Sequence, residues 1–457
     1  PCFTARIPVW TSYKTAQEAE GSDSEAFPVD QVDGNFVRAV RNCVFSKSIP
    51  TPLKGPLRLA AVSKDVIEGI LDLDAAVTQS EDFLLYVSGA RLMPGSVPLA
   101  HRYGGHQFGY WAGQLGDGRA HFLGQYTNRK GEIWDLQLKG SGKTPYSRSG
   151  DGRAVIRSSV REFLCSEAMH SLGVPTSRAA SLVVSKEPVL RDQFYNGNVK
   201  TERGAVVLRL AKSWFRIGSL EILSRTGEID LLRKLLNFVI EEHFPSISSD
   251  DPDKYLVLYA TIVNETAHLI ASWMSVGFAH GVCNTDNFSL LSITIDYGPF
   301  GFMESYDPNF VPNTSDDEGR YSIGAQANVG LFNLEKLLEA LSPMMEDTQS
   351  DFTMTFRQLS EASAQQLRLQ IYKRLICVHS YFFIFTNLPT DVNPRYVLRN
   401  WMAESAVRKA EVDDFSEVEL LHRVLSVPFV TQETAEEAGY AARPPSWAKR
   451  LKVSCSS

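Results

Sequence analysis

The sequence predicts an α+β protein of two lobes, a small β-rich lobe followed by a helical lobe. Alternating apolar and polar residues predict strands at 119–125, 133–138, 179–184 and 204–210. Apolar residues three and four positions apart predict helices at 158–172, 228–243, 253–276, 333–345 and 356–376. Because strands dominate the first half and helices the second, we divide the chain into an N-terminal extension at 1–100, a strand-rich lobe at 101–220 and a helical lobe at 221–457.

Composition excludes several classes of protein. The chain has 457 residues, of which 44% are hydrophobic and 22% charged, which is typical of a folded globular protein. A net charge of -7 argues against a large nucleic-acid surface. No apolar run is long enough to cross a bilayer, so we expect no membrane insertion. The six cysteines are widely spaced without a Cys-x-x-Cys pair, which argues against a zinc or thioredoxin-like site.

The most informative segment runs from His280 to Asn287. A protein-kinase catalytic loop reads His-Arg-Asp-x-x-x-x-Asn and is followed by Asp-Phe-Gly. Here Asn287 stands seven residues after His280, and Asp296-Tyr-Gly occupies the place of Asp-Phe-Gly. Amide and carboxylate oxygens suit Mg²⁺. The pattern therefore predicts a protein-kinase-like fold with Asn287 and Asp296 as ligands of Mg²⁺, or of Mn²⁺ as the alternative.

The usual kinase base is missing from this loop. Val282 stands where a kinase has its catalytic Asp, and Asp286 is the only acid within the loop. Asp286 could accept a proton from an attacking hydroxyl directly or through a metal-bound water. The competing interpretation is an ordinary turn, in which Asp and Asn are common.

A glycine-rich segment lies upstream, between two extended stretches. Glycines at 113, 116 and 118 would let backbone N–H groups approach phosphates, and Arg119 follows directly. We predict that Gly116, Gly118 and Arg119 contact a nucleotide. The alternative is a set of simple turns.

Two further parts of a kinase-like site follow in order. Lys139 ends the run that begins at Trp134, directly after the strand predicted at 133–138, and would hold phosphate oxygens, while Glu162 on the 158–172 helix would hold Lys139. Glu167 on the same helix is the competing partner. A strand lysine is otherwise commonly a solvated edge residue, and a helix glutamate a surface one.

The run Gly140-Ser-Gly-Lys-Thr resembles the end of a Walker A motif. That motif needs a glycine where this chain has Gln137, and Pro145 interrupts the required helix. We expect residues 140–153 to form a flexible cover over the site, with Asp151 and Gly152 at its far end.

Two arginines flank the exit of the predicted strand at 204–210. The guanidinium groups of Arg209 and Arg216 suit phosphate oxygens. Surface exposure is the competing interpretation, and seven residues of separation do not require the two side chains to share a face.

Taken together, these segments resemble the selenoprotein O (SelO) family of protein adenylyltransferases. The resemblance rests on Tyr103-Gly-Gly-His-Gln-Phe-Gly, Gly113-Gln-Leu-Gly-Asp-Gly-Arg, Leu136-Gln-Leu-Lys-Gly, Asp151-Gly-Arg-Ala, Asn284-Thr-Asp-Asn and Thr294-Ile-Asp-Tyr-Gly-Pro-Phe-Gly-Phe. It implies a pseudokinase that binds ATP in a flipped orientation and transfers AMP to Ser, Thr or Tyr hydroxyls of proteins, releasing pyrophosphate.

The resemblance also implies roles for individual residues. Asp286 is the expected proton acceptor, Asn287 and Asp296 the Mg²⁺ ligands, and Glu162 the partner of Lys139. The expected ATP contacts are Gly116, Gly118, Arg119, Lys139, Asp151, Gly152, Arg209, Arg216 and Asp296.

The C-terminal tail resembles that of the family, in which animal members often carry selenocysteine third from the end. Cys455 holds that place and is our redox candidate. Animal relatives imply mitochondrial residence. Residues 371–392 depart from the family pattern.

Two alternatives to AMP transfer remain open, an ordinary protein or small-molecule kinase and a non-catalytic nucleotide-binding scaffold.

Overall fold

The computed structural model describes residues 27–347 and 394–454. The predicted helix at 356–376, the divergent segment at 371–392 and Cys455 lie outside these residues. Within the described residues the protein is α+β, with one large mixed sheet and several helices. None of the described helices is both long and apolar enough to cross a membrane.

Within the described residues, the main sheet has nine strands: β1 (Val29–Asp30), β2 (Phe45–Lys47), β3 (Leu57–Val62), β4 (Leu99–His101), β7 (Ala120–Thr127), β8 (Ile133–Lys139), β9 (Ala154–Val155), β10 (Arg178–Asp192) and β11 (Val199–Ala211). Their order across the sheet is β1-β2-β4-β7-β8-β11-β10-β3, with β9 paired to β11. Among the pairs that these nine strands form, only β1–β2 is parallel. Two small pairs stand apart, β5 (His106–Gln107) with β6 (Tyr110–Trp111) and β12 (Phe278–Ala279) with β13 (Gly301–Phe302).

The helices follow mainly after the sheet. They are α1 (Lys64–Gly69), α2 (Glu81–Val87), α3 (Ile156–Ser171), α4 (Ile217–Arg225), α5 (Ile229–His243), α6 (Lys254–Ser275), α7 (Gln326–Asp347), α8 (Asn400–Glu411), α9 (Ser416–Leu425) and α10 (Glu433–Glu437). Short 3-10 helices lie at Ala75–Gln79, Thr285–Asn287, Ile323–Ala325 and Ser446–Arg450.

The predicted helices and strands that fall within the described residues recur with shifted ends. The largest shifts are in β10, which ends at Asp192 rather than at 184, and in α7, which begins at Gln326 rather than near 333. Gly330 lies in this added part, where a Cβ atom would come within 2.3 Å of Ile270 Cδ1 on α6. A glycine inside a helix lowers helix stability by about 1 kcal/mol relative to alanine, but here it allows the close contact between the two helices.

Strands of the first hundred residues belong to the same sheet as the later strands, because β4 pairs with β7 and β3 pairs with β10. The predicted division at residues 100 and 220 stays a prediction.

The two faces of the sheet bury separate sets of side chains. Along β11, Val206, Leu208 and Leu210 join an apolar cluster with α1 and α2, whereas Val207 and Ala211 join the larger cluster with α3 and the later helices. Because side chains alternate along a strand, Arg209 points to the same face as Val207. The sheet therefore presents Arg209 toward α3 and the helical part of the protein.

Candidate active site

The centre of the candidate site is the partly buried carboxylate of Asp296, whose side chain is 18% exposed. Its Oδ1 accepts hydrogen bonds from Arg209 Nη1 at 2.6 Å and Lys139 Nζ at 3.2 Å, and its Oδ2 accepts one from Arg216 Nη1 at 2.7 Å. Burial raises the pKa of Asp296, but the nearby charges of Arg209, Lys139 and Arg216 outweigh it and hold this pKa well below its usual value. Asp296 is therefore a permanent anion surrounded by three cations.

Chain geometry explains why these cations meet. Lys139 ends β8 and lies opposite Val207 on β11, two residues from Arg209, so both side chains leave the same face of adjacent strands. Arg216 precedes α4 and is fully buried, with its guanidinium over the ring of Tyr103 at 4.3 Å. The competing interpretation of the two arginines as surface residues is wrong.

Helix α3 supplies a second carboxylate to the cluster. Glu162 lies 2.8 Å from Lys139 Nζ and 2.9 Å from Arg209 Nη1. Glu167, the alternative partner of Lys139, instead binds Arg178 Nη2 at 2.7 Å and accepts from Ser63 Oγ at 2.6 Å. Five residues along a helix turn the side chain well away from the first face, so the two glutamates serve different clusters.

The segment around Asp286 forms a one-turn 3-10 helix at Thr285–Asn287. Asp286 Oδ2 accepts a hydrogen bond from Gln107 Nε2 at 3.1 Å, while its buried Oδ1 has no hydrogen-bond partner in the described structure. Burial raises the pKa of Asp286 to about 7. An ordinary turn would not explain a buried, half-satisfied carboxylate, because such a group costs stability.

Arg216 joins the two parts of the site. Its Nη1 donates both to the backbone oxygen of Asp286, at 2.7 Å, and to Asp296. Its Nη2 is buried and has no hydrogen-bond partner among the described residues. A buried guanidinium donor without an acceptor suits an anionic ligand.

The predicted metal ligands are chemically suited to Mg²⁺. Asn287 donates its Nδ2 to the backbone oxygen of Val282 at 2.9 Å, which leaves its amide oxygen available as a ligand. Asp296 supplies carboxylate oxygens, which Mg²⁺ also prefers. In this structure both of those oxygens bind Lys139, Arg209 and Arg216, so a cation would share or displace these contacts. No cluster of three or more His, Cys, Asp or Glu side chains suited to a metal occurs within residues 27–347 and 394–454.

The glycine-rich loop packs against the segment that follows β8. A Cβ atom on Gly116 would lie 2.4 Å from Tyr146 Cγ, and one on Gly118 would lie 2.8 Å from the backbone oxygen of Tyr146. Arg119 follows and accepts from Gly140 N at 2.7 Å through its backbone oxygen. These glycines are thus needed for a close approach within the protein itself.

The segment at 140–153, expected to be a flexible cover, is packed into the fold. Thr144 and Tyr146 are buried, and the Tyr146 hydroxyl lies 2.8 Å from Ser46 Oγ. At its far end Asp151 pairs with Arg191 Nη1 at 2.7 Å, and Gly152 packs so closely on Gly142 that a Cβ atom would lie 2.1 Å from its carbonyl carbon. Asp151 is thus held against β10 and forms no ion pair with the Asp296 cluster.

Sequence reasoning missed Asp117 and Gln137. Asp117 is buried and accepts from Gln137 Nε2 at 2.9 Å, and Gln137 Oε1 accepts from Arg209 Nε at 2.8 Å. Burial raises the pKa of Asp117 to about 6. This chain of hydrogen bonds connects the glycine-rich loop to Arg209. One signal was available, because Gln137 precedes Lys139 by two residues and so shares its face of the strand.

Cys455 lies outside the described residues, but the chain just before it is placed. Thr314 donates its backbone N–H to the oxygen of Val453 at 2.9 Å, and Ser454 Oγ lies 3.3 Å from Ser315 Oγ. Residues 453–454 therefore lie against the loop that contains residues 313–315. The redox role of Cys455 stays a prediction.

Comparison with known proteins gives consistent matches. A family model described as "Protein adenylyltransferase SelO" matches residues 51–381. The protein nucleotidyltransferase YdiU of Azoarcus sp. (strain BH72) is 40% identical, over 94% of this chain and 96% of its own length. The proteins of the same name from Methylobacillus flagellatus and Thiobacillus denitrificans are each 39% identical, over 94% and 93% of this chain and 96% and 98% of theirs.

These similarities define the chain as a nucleotidyltransferase. More specifically, it belongs to the SelO family of protein adenylyltransferases. The family resemblance seen in the sequence is confirmed.

The expectation of mitochondrial residence is wrong. It was taken from animal members of the family, whereas the relatives reported above are bacterial, and bacteria have no mitochondria. The similarity indicates a bacterial protein rather than a mitochondrial one.

Proposed function

We propose that this protein transfers AMP from ATP to Ser, Thr or Tyr hydroxyls of protein substrates through the site centred on Asp296. The observation that carries this proposal is the arrangement of Lys139, Arg209 and Arg216 around that carboxylate, beside the half-satisfied Asp286. A cationic cluster suits a triphosphate, and a nearby carboxylate of pKa about 7 suits proton transfer at neutral pH.

The nucleotide contacts follow from the charges of the cluster. Lys139, Arg209 and Arg216 carry three positive charges against the two negative charges of Asp296 and Glu162 in direct contact. The surplus charge and the unpartnered Nη2 of Arg216 would bind phosphate oxygens. The remaining proposed contacts to ATP are Gly116, Gly118, Arg119, Asp151, Gly152 and Asp296.

Asn287 and Asp296 would hold Mg²⁺, or alternatively Mn²⁺. The bound ion would supply neutralisation of the charge on the phosphates. Lys139 and the two arginines, released from Asp296, would then be free to bind the triphosphate. Before ATP binds, the ion pairs of Asp296 with these three cations would hold the side chains of the site in place.

The transfer step requires one proton acceptor. The substrate hydroxyl oxygen forms a bond to the α-phosphorus, and the bond from that phosphorus to the bridging oxygen of the β-phosphate breaks. The hydroxyl proton passes to Asp286, and pyrophosphate leaves with the electrons of the broken bond. Lys139, Arg209 and Arg216 stabilise the negative charge that develops on the departing phosphates. Asp286 thereby replaces the base that Val282 cannot supply.

We further propose that the overall arrangement is protein-kinase-like, with ATP bound in the flipped orientation. A strand lysine paired to a helix glutamate, Lys139 with Glu162, supports this proposal. So does the order in which Asn287 and Asp296 follow in the chain. The flipped orientation would bring the α-phosphorus, rather than the γ-phosphorus, to the acceptor hydroxyl.

Labelled ATP tests the proposed transfer directly. The protein is incubated with a mixed protein substrate, Mg²⁺ and ATP labelled on either the α- or the γ-phosphate. We expect label to enter protein only from the α position, with an intact-mass increase corresponding to an AMP group. Label entering only from the γ position would show a kinase instead, and absence of both would indicate a nucleotide-binding scaffold.

Matched variants connect the transfer to the site. Asp286→Asn should lower the rate by about 10²–10⁴-fold, which is the usual contribution of a general base. Asp230→Asn changes a fully exposed aspartate on α5 in the same way and should leave the rate unchanged. Equal rates for the wild-type protein and Asp286→Asn would exclude Asp286 as the proton acceptor.

A further inference from the structure

A second site is indicated by a cleft remote from the Asp296 cluster. The cleft has a volume of about 790 Å³ and lies between the first half of β11, the helix α8 and the segment 447–452. We propose that this cleft binds an extended acidic segment of the protein substrate, which adds as a strand to the open edge of β11. The proposal rests on the proposed protein-modifying function and names how its substrate is held.

The open edge is a consequence of the strand order. One side of β11 pairs with β10 from Val199 to Leu210, but the other side pairs with β8 only at 207–211 and with β9 only at 204–205. At Ile156 the chain leaves β9 and enters α3, so no described strand covers residues 199–203 on that side. An uncovered strand edge presents N–H and C=O groups to an extended peptide.

The charge of the cleft favours an acidic partner. Three of its cations have acid partners: Arg157 pairs with Glu202, Arg203 with Asp413 and Arg408 with Glu404. Three others, Lys200, Arg450 and Lys452, are exposed and form no ion pair with any residue in the described parts of the chain. The one acid lining the cleft that has no ion pair in the described parts of the chain is Glu411; burial, then Glu202 and Glu404, raise its pKa, although the charges of Arg157 and Lys200 act in the opposite direction. The cleft therefore carries a surplus of positive charge.

Aromatic side chains complete the cleft. Trp447 lies under the guanidinium of Arg408 at 4.7 Å, and Phe194 on the β10–β11 connection is 38% exposed. Val199, the first residue of the open edge, is 57% exposed. Apolar side chains that alternate with acidic ones on an added strand would have contacts here.

The cleft is connected to the active site through two elements. Arg203 at the open edge and Arg209 at the Asp296 cluster are six residues apart on β11, which corresponds to about 20 Å. Helix α3 begins at the cleft with Ile156 and carries Glu162 in its second turn. A segment bound at the edge would therefore not reach the active site itself. The acceptor hydroxyl would lie on a neighbouring part of the same substrate.

A binding measurement tests the proposal without ATP. The probe is a short fluorescent peptide of alternating glutamate and valine, followed by fluorescence polarisation with the full chain. Lys200→Glu with Lys452→Glu should weaken its binding by about tenfold, because two attractions become repulsions. Lys64→Glu with Lys130→Glu makes the same change of charge at exposed positions elsewhere and should leave binding unchanged.

Two control ligands separate strand pairing from charge alone. Replacing valine by proline keeps the charge of the peptide but removes every second backbone donor and fixes φ at about −65°, so this peptide should bind at least about tenfold more weakly. Equal binding of the proline peptide would overturn the strand-pairing proposal. Tighter binding of a short oligothymidylate than of the glutamate–valine peptide would overturn the choice of a protein partner.

Hydrogen exchange locates the bound peptide. Within 199–203, the amides that point away from β10 should exchange fast in the free protein and slowly when the glutamate–valine peptide is present, whereas those that donate to β10 are protected in both states. Slow exchange of the amides that point away from β10 already in the free protein would mean that another part of this chain, or a second copy of it, covers the edge, which would contradict the proposal. Since neither measurement uses ATP, the docking result and the AMP-transfer result can fail independently.

Discussion

The raised pKa of Asp286 predicts that removing its charge stabilises the fold, although the same change slows transfer by about 10²–10⁴-fold. Its pKa is about 7 in the folded protein against a reference value of 3.8, because burial disfavours the ionised form. The folded state therefore holds the proton more tightly than the unfolded chain. As pH rises from about 4 to about 7, the wild-type protein loses stability, and above pH 7 the loss is complete.

The size of this effect follows from proton linkage. The difference between the two pKa values lowers the free energy of unfolding of the wild-type protein by about 2 kcal/mol at pH 5 and about 4 kcal/mol at pH 8. Asp286→Asn keeps the shape of the side chain but has no charge to bury. Its advantage in free energy of unfolding over the wild-type protein should therefore grow by about 2–3 kcal/mol between these two pH values.

The assay is urea unfolding of both proteins from pH 5 to pH 8, without ATP and with EDTA present. Asp230→Asn, at a fully exposed position, should show no such growth. If the two proteins differ in free energy of unfolding by the same amount at every pH, the reasoning is refuted. Such a result would mean that ionising Asp286 in the folded protein costs no more than ionising it in the unfolded chain. In the transfer assay the wild-type rate should fall as pH drops below about 7, as Asp286 takes up its proton.

Three further predictions concern the cluster, the glycine-rich loop and the metal. Glu162→Gln and Glu167→Gln should each lower the free energy of unfolding, measured in urea, by about 3 kcal/mol, because each breaks buried ion pairs. Only Glu162→Gln should also weaken ATP binding, by about tenfold. Gly116→Ala should lower the free energy of unfolding by about 2–4 kcal/mol, because the added Cβ atom would meet the Tyr146 ring. Gly113 is also at positive φ but has open space around it, so Gly113→Ala should lower the free energy of unfolding by only about 1 kcal/mol. EDTA should abolish transfer yet leave the free energy of unfolding of the ATP-free protein unchanged, because the chain's own cations neutralise Asp296; a large loss of stability would instead reveal a structural metal.

Local patterns in the sequence were sufficient for several parts of this protein. Apolar periodicity located α5 and α6 to within a residue or two, because each buries one continuous face. The spacing from His280 to Asn287 and the Asp296 triplet marked two loops as candidates for phosphate chemistry. Lys139 and Glu162 were proposed as partners from their order in the chain, and the structure has them 2.8 Å apart.

Other features depended on contacts between distant parts of the chain. Sequence alone did not decide between Glu162 and Glu167, because the rotation of α3 against the sheet determines which glutamate reaches Lys139. Asp117 and Gln137 lie within strings that resemble the family but were given no role, and their importance appears only when Gln137 is seen to accept a hydrogen bond from Arg209.

The sequence by itself thus determined the family of this protein, several of its long helices and strands, and the residue types available for chemistry, because motif spacing and periodicity are local properties. Only the tertiary structure brought Arg209 and Arg216 to the same carboxylate and left one edge of β11 uncovered. The physical reason is that strand order and helix packing set distances between residues far apart in the chain, and the energies of ion pairs and buried carboxylates depend on those distances.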